Sequence, residues 1–272
     1  MRQAWPASIV APLYLMTDDP MLKLYVGNKN YSSWSMRPWV LLKQAGIDFE
    51  EVVVRFDSFG AQSAFKQTIN AVTPVGKVPA LVDDTLVVWD SLAIVEYLAE
   101  QFPEKNLWPA DRAARARARS VCAEMHSGFG ALRAACPMNI EARLPEVGQL
   151  IWRDQPGVRT DVQRLVAMWS ELLAAHGGPR TAGPPQGAHS PLGGREAESN
   201  VGARFLFGQF TIADAFFAPI CTRLQTYDLP VPAHITAYIR RVMALPGVTA
   251  WVDAALLEHD FRDFEEPHRT KR

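Results

Sequence analysis

Between residues 21 and 101, short apolar runs alternate with amphipathic stretches, a pattern that predicts strands alternating with helices. In chain order, we predict a strand at residues 22–26, a helix at 36–45, a strand at 49–54, a helix at 61–69, a strand after Val78-Pro79, a strand at 86–89 and an amphipathic helix that Asp90-Ser91 opens. Pro38 is tolerated in the first turn of the first helix, and Gly46 is suited to end that helix.

After residue 101 the pattern of alternating strands and helices ends. Prolines punctuate residues 102–110, which we interpret as a linker, and residues 111–262 carry helical patterns without strand patterns. Two helices predicted in this part span residues 113–132 and 161–176. Thr211 and Asp214 have the spacing of a capping box at the start of an apolar helix, so we assign them to folding and not to chemistry.

Three segments fall outside this two-domain plan. Residues 1–20 are predicted to be an N-terminal extension, with Met21 as an alternative start. Residues 177–203 include eleven Gly or Pro, which predicts an inserted flexible loop and not a packed element. Residues 263–272 form a tail, charged and predicted to be disordered from residue 265.

Composition narrows the classes of function. The chain has 272 residues, 48% of them hydrophobic, and is therefore long and apolar enough to bury a substantial core. A net charge of −1 gives no electrostatic footprint for nucleic acid or an anionic membrane, and no apolar run approaches the roughly 18–20 residues of a spanning helix. Cys122, Cys136 and Cys221 are widely spaced and lack a CxxC motif, which predicts a reducing compartment and no disulfide framework.

The segment from Val78 to Ser91 has the chemistry of a peptide-binding site. A residue before proline is held extended, and a cis Val78-Pro79 bond would turn the backbone of Val78 outward, where a peptide can dock as an added strand. Ser91 is a favoured N-cap residue, and a helix N-terminus attracts a carboxylate. Asp90 can pair with an ammonium group. The two together suit a ligand that carries both groups on one carbon.

A serine-rich loop follows the first strand and precedes the first helix. Ser32, Ser33 and Ser35 lie where a helix N-terminus favours negative charge. A hydroxyl that donates to a thiolate could lower the pKa of the thiol by roughly one to two units, because a hydrogen bond to a charged acceptor is worth about 1.5–3 kcal/mol. We expect Ser35 to cap the helix, whereas Ser32 and the neighbouring Tyr31 are candidate donors to a thiolate.

These motifs resemble the cytosolic glutathione transferases. The Val-Pro step and the acid-Ser pair are similar to the glutathione-binding half of that family. Residues 32–37, Ser-Ser-Trp-Ser-Met-Arg, resemble the Ser-Ser-Cys-Ser-x-Arg signature of its zeta class and, more loosely, the serine-type tau class. The resemblance implies a thioredoxin-like α/β domain at residues 21–101, an all-α C-terminal domain, a homodimer, and glutathione as co-substrate without a metal.

Matched residue by residue, Ser32 falls on the family's catalytic serine and Ser33 lies beside it, while Tyr31 is a rival hydroxyl of the kind that tyrosine-type classes use. Lys77 is expected to reach the glycine carboxylate of glutathione. The residues assigned to glutathione are Lys77, Val78, Pro79, Asp90 and Ser91.

The expected activity is conjugation of glutathione, through its thiolate, to a small hydrophobic electrophile. Trp34 stands where the zeta signature has cysteine, which argues against zeta-like isomerisation of maleylacetoacetate; this alternative stays open, as does a non-catalytic glutathione-binding protein. Because the loop has no cysteine, thiol–disulfide exchange is not expected there. The residues assigned to the acceptor pocket are Trp34, Met125, His126, Phe129 and Arg133.

Overall fold

A computed structural model describes residues 22–176 and 205–270 of the chain. Its first domain holds a four-stranded sheet made of β1 (Lys23–Val26), β2 (Glu50–Val53), β3 (Ala80–Asp83) and β4 (Leu86–Trp89). The strand order is β2-β1-β3-β4; β1 and β2 are parallel, whereas β3 runs antiparallel to both β1 and β4. The helices of this domain are α1 (Ser33–Ala45), α2 (Ala64–Asn70) and α3 (Ser91–Gln101). The predicted order and the thioredoxin-like fold are confirmed.

The first helix begins three residues earlier than its predicted start at residue 36. The serines of the loop favour non-helical backbone locally, but in the folded chain their side chains meet tertiary partners. The Oγ of Ser35 accepts a hydrogen bond from the Gly27 N–H at 3.2 Å, and the Oγ of Ser33 accepts one from Arg223 at 3.2 Å. Ser32 therefore occupies the N-cap position, and Gly46 ends the helix with a left-handed φ of 62°, as predicted.

The helix α3 begins at Ser91, but its N-cap residue is Asp90 and not Ser91. The Asp90 carboxylate accepts a hydrogen bond from the Leu92 N–H at 2.8 Å. Asp90 also adopts φ 75° and ψ 130°, a backbone conformation that costs a non-glycine residue on the order of 1–3 kcal/mol and clusters at functional sites. Capping by Asp90 leaves the hydroxyl of Ser91 free for another partner.

The second domain is helical over the residues that the structure describes. Its helices are α4 (Arg112–Ser127), α5 (Gly130–Ala135), α6 (Pro145–Asp154), α7 (Pro156–His176), α8 (Ile212–Thr226), α9 (Ala233–Met243) and α10 (Pro246–Glu258). Almost every side chain of α8 is buried, and α1 packs against both α8 and α10, which joins the two domains. No helix among the described residues is both long and apolar enough to cross a bilayer.

The continuous helix predicted at residues 113–132 is wrong, because the chain breaks between α4 and α5. A side chain at Gly128 would place its Cβ 2.7 Å from the Glu124 carbonyl oxygen, and Phe129 has a left-handed φ of 56°. The helix α7 begins at Pro156, earlier than the predicted residue 161. The predicted extension at residues 1–20 and insertion at 177–203 lie outside the described part of the chain.

The capping box at the start of α8 is confirmed. Asp214 is fully buried, and its carboxylate accepts hydrogen bonds from the N–H groups of Thr211 and Leu206 and from the hydroxyl of Tyr238. The prediction of a disordered tail is wrong for residues 265–270, because Glu266 is buried there between Tyr31 and Asn139. A buried carboxylate with this many partners anchors the tail against the first domain.

Candidate functional site

Two adjoining cavities lie where the domains meet. The smaller, of about 600 Å³, is lined by the Val78-Pro79 step and the Asp90-Ser91 pair, and the larger, of about 730 Å³, is lined by the serine loop and the second domain. Both cavities are lined by the same four residues at their junction, Trp34, Lys77, Val78 and Arg133. A ligand in the smaller cavity can therefore present a reacting atom to a second molecule in the larger one.

The smaller cavity brings together all the residues that the sequence assigns to glutathione, namely Lys77, Val78, Pro79, Asp90 and Ser91. The Val78-Pro79 peptide bond is cis, and Val78 lies just before β3, beyond the last residue that β3 pairs with β1. Its position at the edge of the paired strands is the one expected for docking an added peptide strand.

The hydroxyl of Ser91 has no protein partner among the described residues. Ser91 is only 1% exposed, and its Oγ is a buried atom without a hydrogen bond. A buried hydroxyl left unpaired costs about 1–3 kcal/mol, so such a group at a cavity wall calls for a ligand acceptor. The position of Ser91 in the first turn of α3 favours an anionic acceptor.

His126 lines the smaller cavity and not the predicted acceptor pocket. Its Nε2 lies 3.2 Å from an Asp90 carboxylate oxygen, and its ring meets Trp34 edge-on at 5.1 Å. His126 therefore links α4 to the N-terminus of α3 across the domain boundary. The other carboxylate oxygen of Asp90 accepts the hydrogen bond from the Leu92 N–H.

The larger cavity has an aromatic wall and a polar wall. Phe56, Phe59 and Phe65 form a cluster of edge-on rings on one side. The serine loop contributes Ser32 and Ser33 to the lining. An apolar molecule with one polar end fits such a lining.

Ser32 is buried, and its Oγ donates a hydrogen bond to the Oγ of Ser35 at 2.7 Å. The prediction that Ser35 caps the helix is wrong, because Ser32 is the N-cap residue and Ser35 is the third residue of α1, fully buried, where its Oγ accepts a hydrogen bond from the Gly27 N–H. Ser32 lines the larger cavity, so a rotation about one side-chain bond can turn its hydroxyl from Ser35 to a ligand atom.

Tyr31, the rival hydroxyl, is already engaged. Its hydroxyl donates to the Glu266 carboxylate at 2.7 Å and accepts from the Arg262 N–H at 3.2 Å. Burial and the hydrogen bond to Glu266 raise the pKa of Tyr31 well above its ordinary value. A hydroxyl that is both a weaker acid and committed to a carboxylate is a poor donor to a thiolate.

Apart from His126, the predicted acceptor residues separate into two groups. Trp34 and Arg133 line the larger cavity, whereas Met125 and Phe129 are buried in the hydrophobic core and line neither cavity. Met125 lies on the buried face of α4, and the break between α4 and α5 takes Phe129 out of the regular helical spacing.

Sequence reasoning missed Arg223 and Glu265, which line the larger cavity from α8 and from the tail. Arg223 could have been identified from the sequence, because it is a single basic residue within the apolar run of α8. Glu265 could not have been identified in this way, because charged residues occur throughout the tail. Within residues 22–176 and 205–270, no group of three or more His, Cys, Asp or Glu is arranged to hold a metal ion.

Comparison with known proteins gives the family. The family described as glutathione S-transferase, N-terminal domain, matches residues 31–101, and glutathione S-transferase, C-terminal domain, matches residues 112–254. A zeta-class glutathione S-transferase from Euphorbia esula is 32% identical over 59% of this chain and 68% of its own. A maleylacetoacetate isomerase from Rattus norvegicus is 34% identical over 46% of this chain and 54% of its own.

Solved structures give the same result. A glutathione transferase homologue from Burkholderia with bound glutathione is 26% identical, covers 87% of this chain and 98% of its own, and has a TM-score of 0.57. A theta-class enzyme from Xanthomonas axonopodis, 23% identical over 87% of this chain and 98% of its own with a TM-score of 0.58, shares the fold. Because the two family matches together span most of the chain, it belongs to the glutathione S-transferases, a family of enzymes.

Proposed function

We propose that this enzyme binds glutathione in the smaller cavity, stabilises its thiolate with the hydroxyl of Ser32 and conjugates it to a small electrophile in the larger cavity. The observation that carries the proposal is the buried, unpaired Oγ of Ser91 beside the Asp90 carboxylate. These two groups complement the carboxylate and ammonium of a γ-glutamyl end. Glutathione bound in this way would run toward Val78, which lines both cavities.

The thiol of a glutathione docked at Val78 would lie near the junction of the cavities, on the side of the serine loop. A thiol with its ordinary pKa of about 8.5 is only a few per cent thiolate at neutral pH. Donation from Ser32, at the N-terminus of α1, stabilises the negative charge of the thiolate. The thiolate then attacks the electrophile, forming a carbon–sulfur bond. Lys77, at the junction, is available to pair with the glycine carboxylate.

Replacing Ser91 by Ala tests the glutathione site. We expect the dissociation constant of glutathione to rise about 10- to 100-fold, because a hydrogen bond to a charged group is lost. The melting temperature of the free protein should stay the same or rise, because the substitution removes a buried hydroxyl without a protein partner. Isothermal titration calorimetry and thermal denaturation measure the two effects. Unchanged glutathione affinity would contradict the proposed site.

Replacing Tyr31 by Phe tests the assignment of the donor. We expect kcat/KM for conjugation to change little, while the free energy of unfolding falls by about 2 kcal/mol because Glu266 loses a buried donor. Glu266 keeps its hydrogen bonds from Asn139 and Arg269, so the tail should stay in place. Chemical denaturation and an aryl-halide conjugation assay measure the effects. A loss of turnover without a loss of stability would make Tyr31 the donor instead.

A second candidate function is glutathione-dependent isomerisation of maleylacetoacetate, in which glutathione adds and leaves again. The maleylacetoacetate isomerase from Rattus norvegicus is 34% identical over the matched segment, which supports it. Trp34, at the floor shared by the two cavities, argues against it. Turnover of maleylacetoacetate without net consumption of glutathione would favour the isomerase, and glutathione binding without any turnover would favour a binding protein.

We further propose a cytoplasmic homodimer. The three cysteines are free and buried, which suits a reducing compartment. On the edge strand β4, Leu86 is apolar and exposed, and a second copy could cover it. Analytical ultracentrifugation measures the assembly.

A further inference from the structure

Three arginines surround Trp34 at the junction of the two cavities. The guanidinium carbons of Arg37 and Arg133 lie 4.2 Å and 4.7 Å from the Trp34 ring centroid. Arg223 lines the larger cavity and donates to Ser33, the residue before Trp34, at 3.2 Å. Cations this close to one another raise the positive potential of the cavity that they border.

The hydrogen bonds of Arg133 and Arg223 go to neutral acceptors. Arg223 donates to the backbone carbonyls of Cys136 and Pro219 in addition to Ser33, and Arg133 donates to the carbonyls of His126 and Gly128. Backbone carbonyls carry no charge that could neutralise the guanidinium groups.

Arg37 has even fewer partners. It is 2% exposed, and its Nε and Nη1 are buried without a hydrogen-bond partner in the part of the chain that the structure describes. Burial and the neighbouring Arg223 and Arg133 lower the pKa of Arg37 to about 9, and burial with Arg133 lowers that of Arg223 to about 10. Among the described residues, no carboxylate forms an ion pair with any of the three arginines.

The rest of the larger cavity does not supply the missing negative charge. Its lining includes two further basic residues, Lys66 and Lys77, against a single acidic residue, Glu265. Burial and the neighbouring Glu266 raise the pKa of Glu265 to about 7, so a large fraction of it is uncharged at neutral pH. Glu266 itself is occupied by Tyr31, Asn139 and Arg269.

Glutathione does not account for all of this charge. Arg133 lines both cavities, but Arg223 lines only the larger one, whereas the predicted glutathione contacts Asp90 and Ser91 line only the smaller one. Burying a cation without a counterion is unfavourable in free energy. An anion supplied by the second substrate would therefore bind favourably in the larger cavity. The rings of Phe56, Phe59 and Phe65 can hold the apolar part of the same molecule.

We propose, on the basis of the proposed transferase function, that the acceptor is a carboxylate-bearing electrophile whose carboxylate binds Arg133 and Arg223 in the larger cavity. Arg37 touches neither cavity and acts as a positioning residue, fixing the Trp34 ring and adding to the positive potential. In the reaction the glutathione thiolate forms a carbon–sulfur bond with the acceptor, and a halide leaves with the bonding electrons. The carboxylate itself takes no part in bond making.

The test compares two acceptors with the same reacting centre, 4-chloro-3-nitrobenzoate and its neutral methyl ester. After division by the uncatalysed rate with glutathione, we expect kcat/KM of the wild-type enzyme to favour the carboxylate at least about tenfold, the size of a charge-assisted hydrogen bond. Arg133→Gln should abolish most of this preference. Arg117→Gln is a control for the loss of an arginine, because Arg117 lies on the neighbouring helix α4, is exposed and pairs with Glu171.

A binding measurement separates this proposal from the proposed function. Titration with 3-nitrobenzoate and methyl 3-nitrobenzoate, which cannot react, should give tighter binding of the carboxylate by the wild type than by Arg133→Gln. Equal conjugation and equal binding of acid and ester would overturn the anionic acceptor while leaving the transferase intact. Failure to conjugate either acceptor, with selective binding of 3-nitrobenzoate retained, would instead overturn the transferase function and leave the anion site standing.

Discussion

Replacing Ser32 by Ala is expected to lower kcat/KM for conjugation about 10- to 100-fold at neutral pH while glutathione remains bound. A hydrogen bond to a charged acceptor is worth about 1.5–3 kcal/mol, and each tenfold change in rate corresponds to about 1.4 kcal/mol. The loss should fall on the reactivity of the thiol, because the proposed binding mode places the other end of glutathione on Asp90 and Ser91. Steady-state kinetics with an aryl halide and calorimetric titration of glutathione measure the two quantities.

The pH dependence gives a second signature of the same variant. Without the donor, bound glutathione should titrate near its ordinary pKa of about 8.5, whereas in the wild type it should titrate lower. The activity of Ser32→Ala should therefore rise with pH and approach that of the wild type at high pH. Ultraviolet absorbance of the bound thiolate follows the titration directly. A merely structural loss would lower activity equally at every pH.

Two serine variants act as controls for Ser32. Ser120 lies on the exposed part of α4, where its hydroxyl donates to the Ala116 carbonyl, and Ser120→Ala should leave kcat/KM unchanged. Ser33→Ala tests the neighbouring hydroxyl, which accepts from Arg223. If turnover of Ser32→Ala equals that of the wild type, the assignment moves to Ser33 or Tyr31.

The part of the site that could be predicted from the sequence is the part that local chemistry determines. A proline after Val78 and an acid-Ser pair before an amphipathic run specify their backbone with little help from the rest of the chain. The predicted strand at residues 86–89 agrees with β4, and the helix after Asp90-Ser91 agrees with α3. Local determinants also end α1 at Gly46.

The part that could not be predicted depends on contacts between distant residues. Ser33 and Ser35 join α1 only because Arg223 and Gly27 satisfy their side chains. The tail is ordered because Glu266 finds Tyr31 more than two hundred positions away, a pairing that charge patterning does not reveal.

In the acceptor pocket, too, local spacing is visible in the sequence, whereas contacts between distant residues are not. The spacing of Met125, Phe129 and Arg133 is helical in the sequence, but Gly128 is the one residue that permits the close turn between α4 and α5. Only Arg133 of these three reaches a cavity. Its partner Arg223 comes from α8, so the cationic lining is a property of the packed domains and not of either segment.

Replacing Asp214 by Ala is expected to give the largest loss of stability. The substitution leaves the N–H groups of Leu206 and Thr211 and the hydroxyl of Tyr238 buried without their acceptor. Each such group costs about 1–3 kcal/mol, so we expect the free energy of unfolding to fall by at least about 3 kcal/mol. Tyr238→Phe removes one donor and keeps the carboxylate, and should cost only about 1 kcal/mol. Urea denaturation measures both.

The pH dependence of the same variants separates the charge of Asp214 from its hydrogen bonds. Burial raises the pKa of Asp214 to about 6, above its value of about 3.9 in an unfolded chain. The folded protein therefore holds the proton more tightly, and this group makes the wild type less stable as pH rises from about 4 to about 6. Asp214→Asn cannot ionise and should lose that component of the pH dependence. Because Asp214 lines neither cavity, the folded fraction of each variant should keep its wild-type kcat/KM; a selective loss of turnover would contradict the structural assignment.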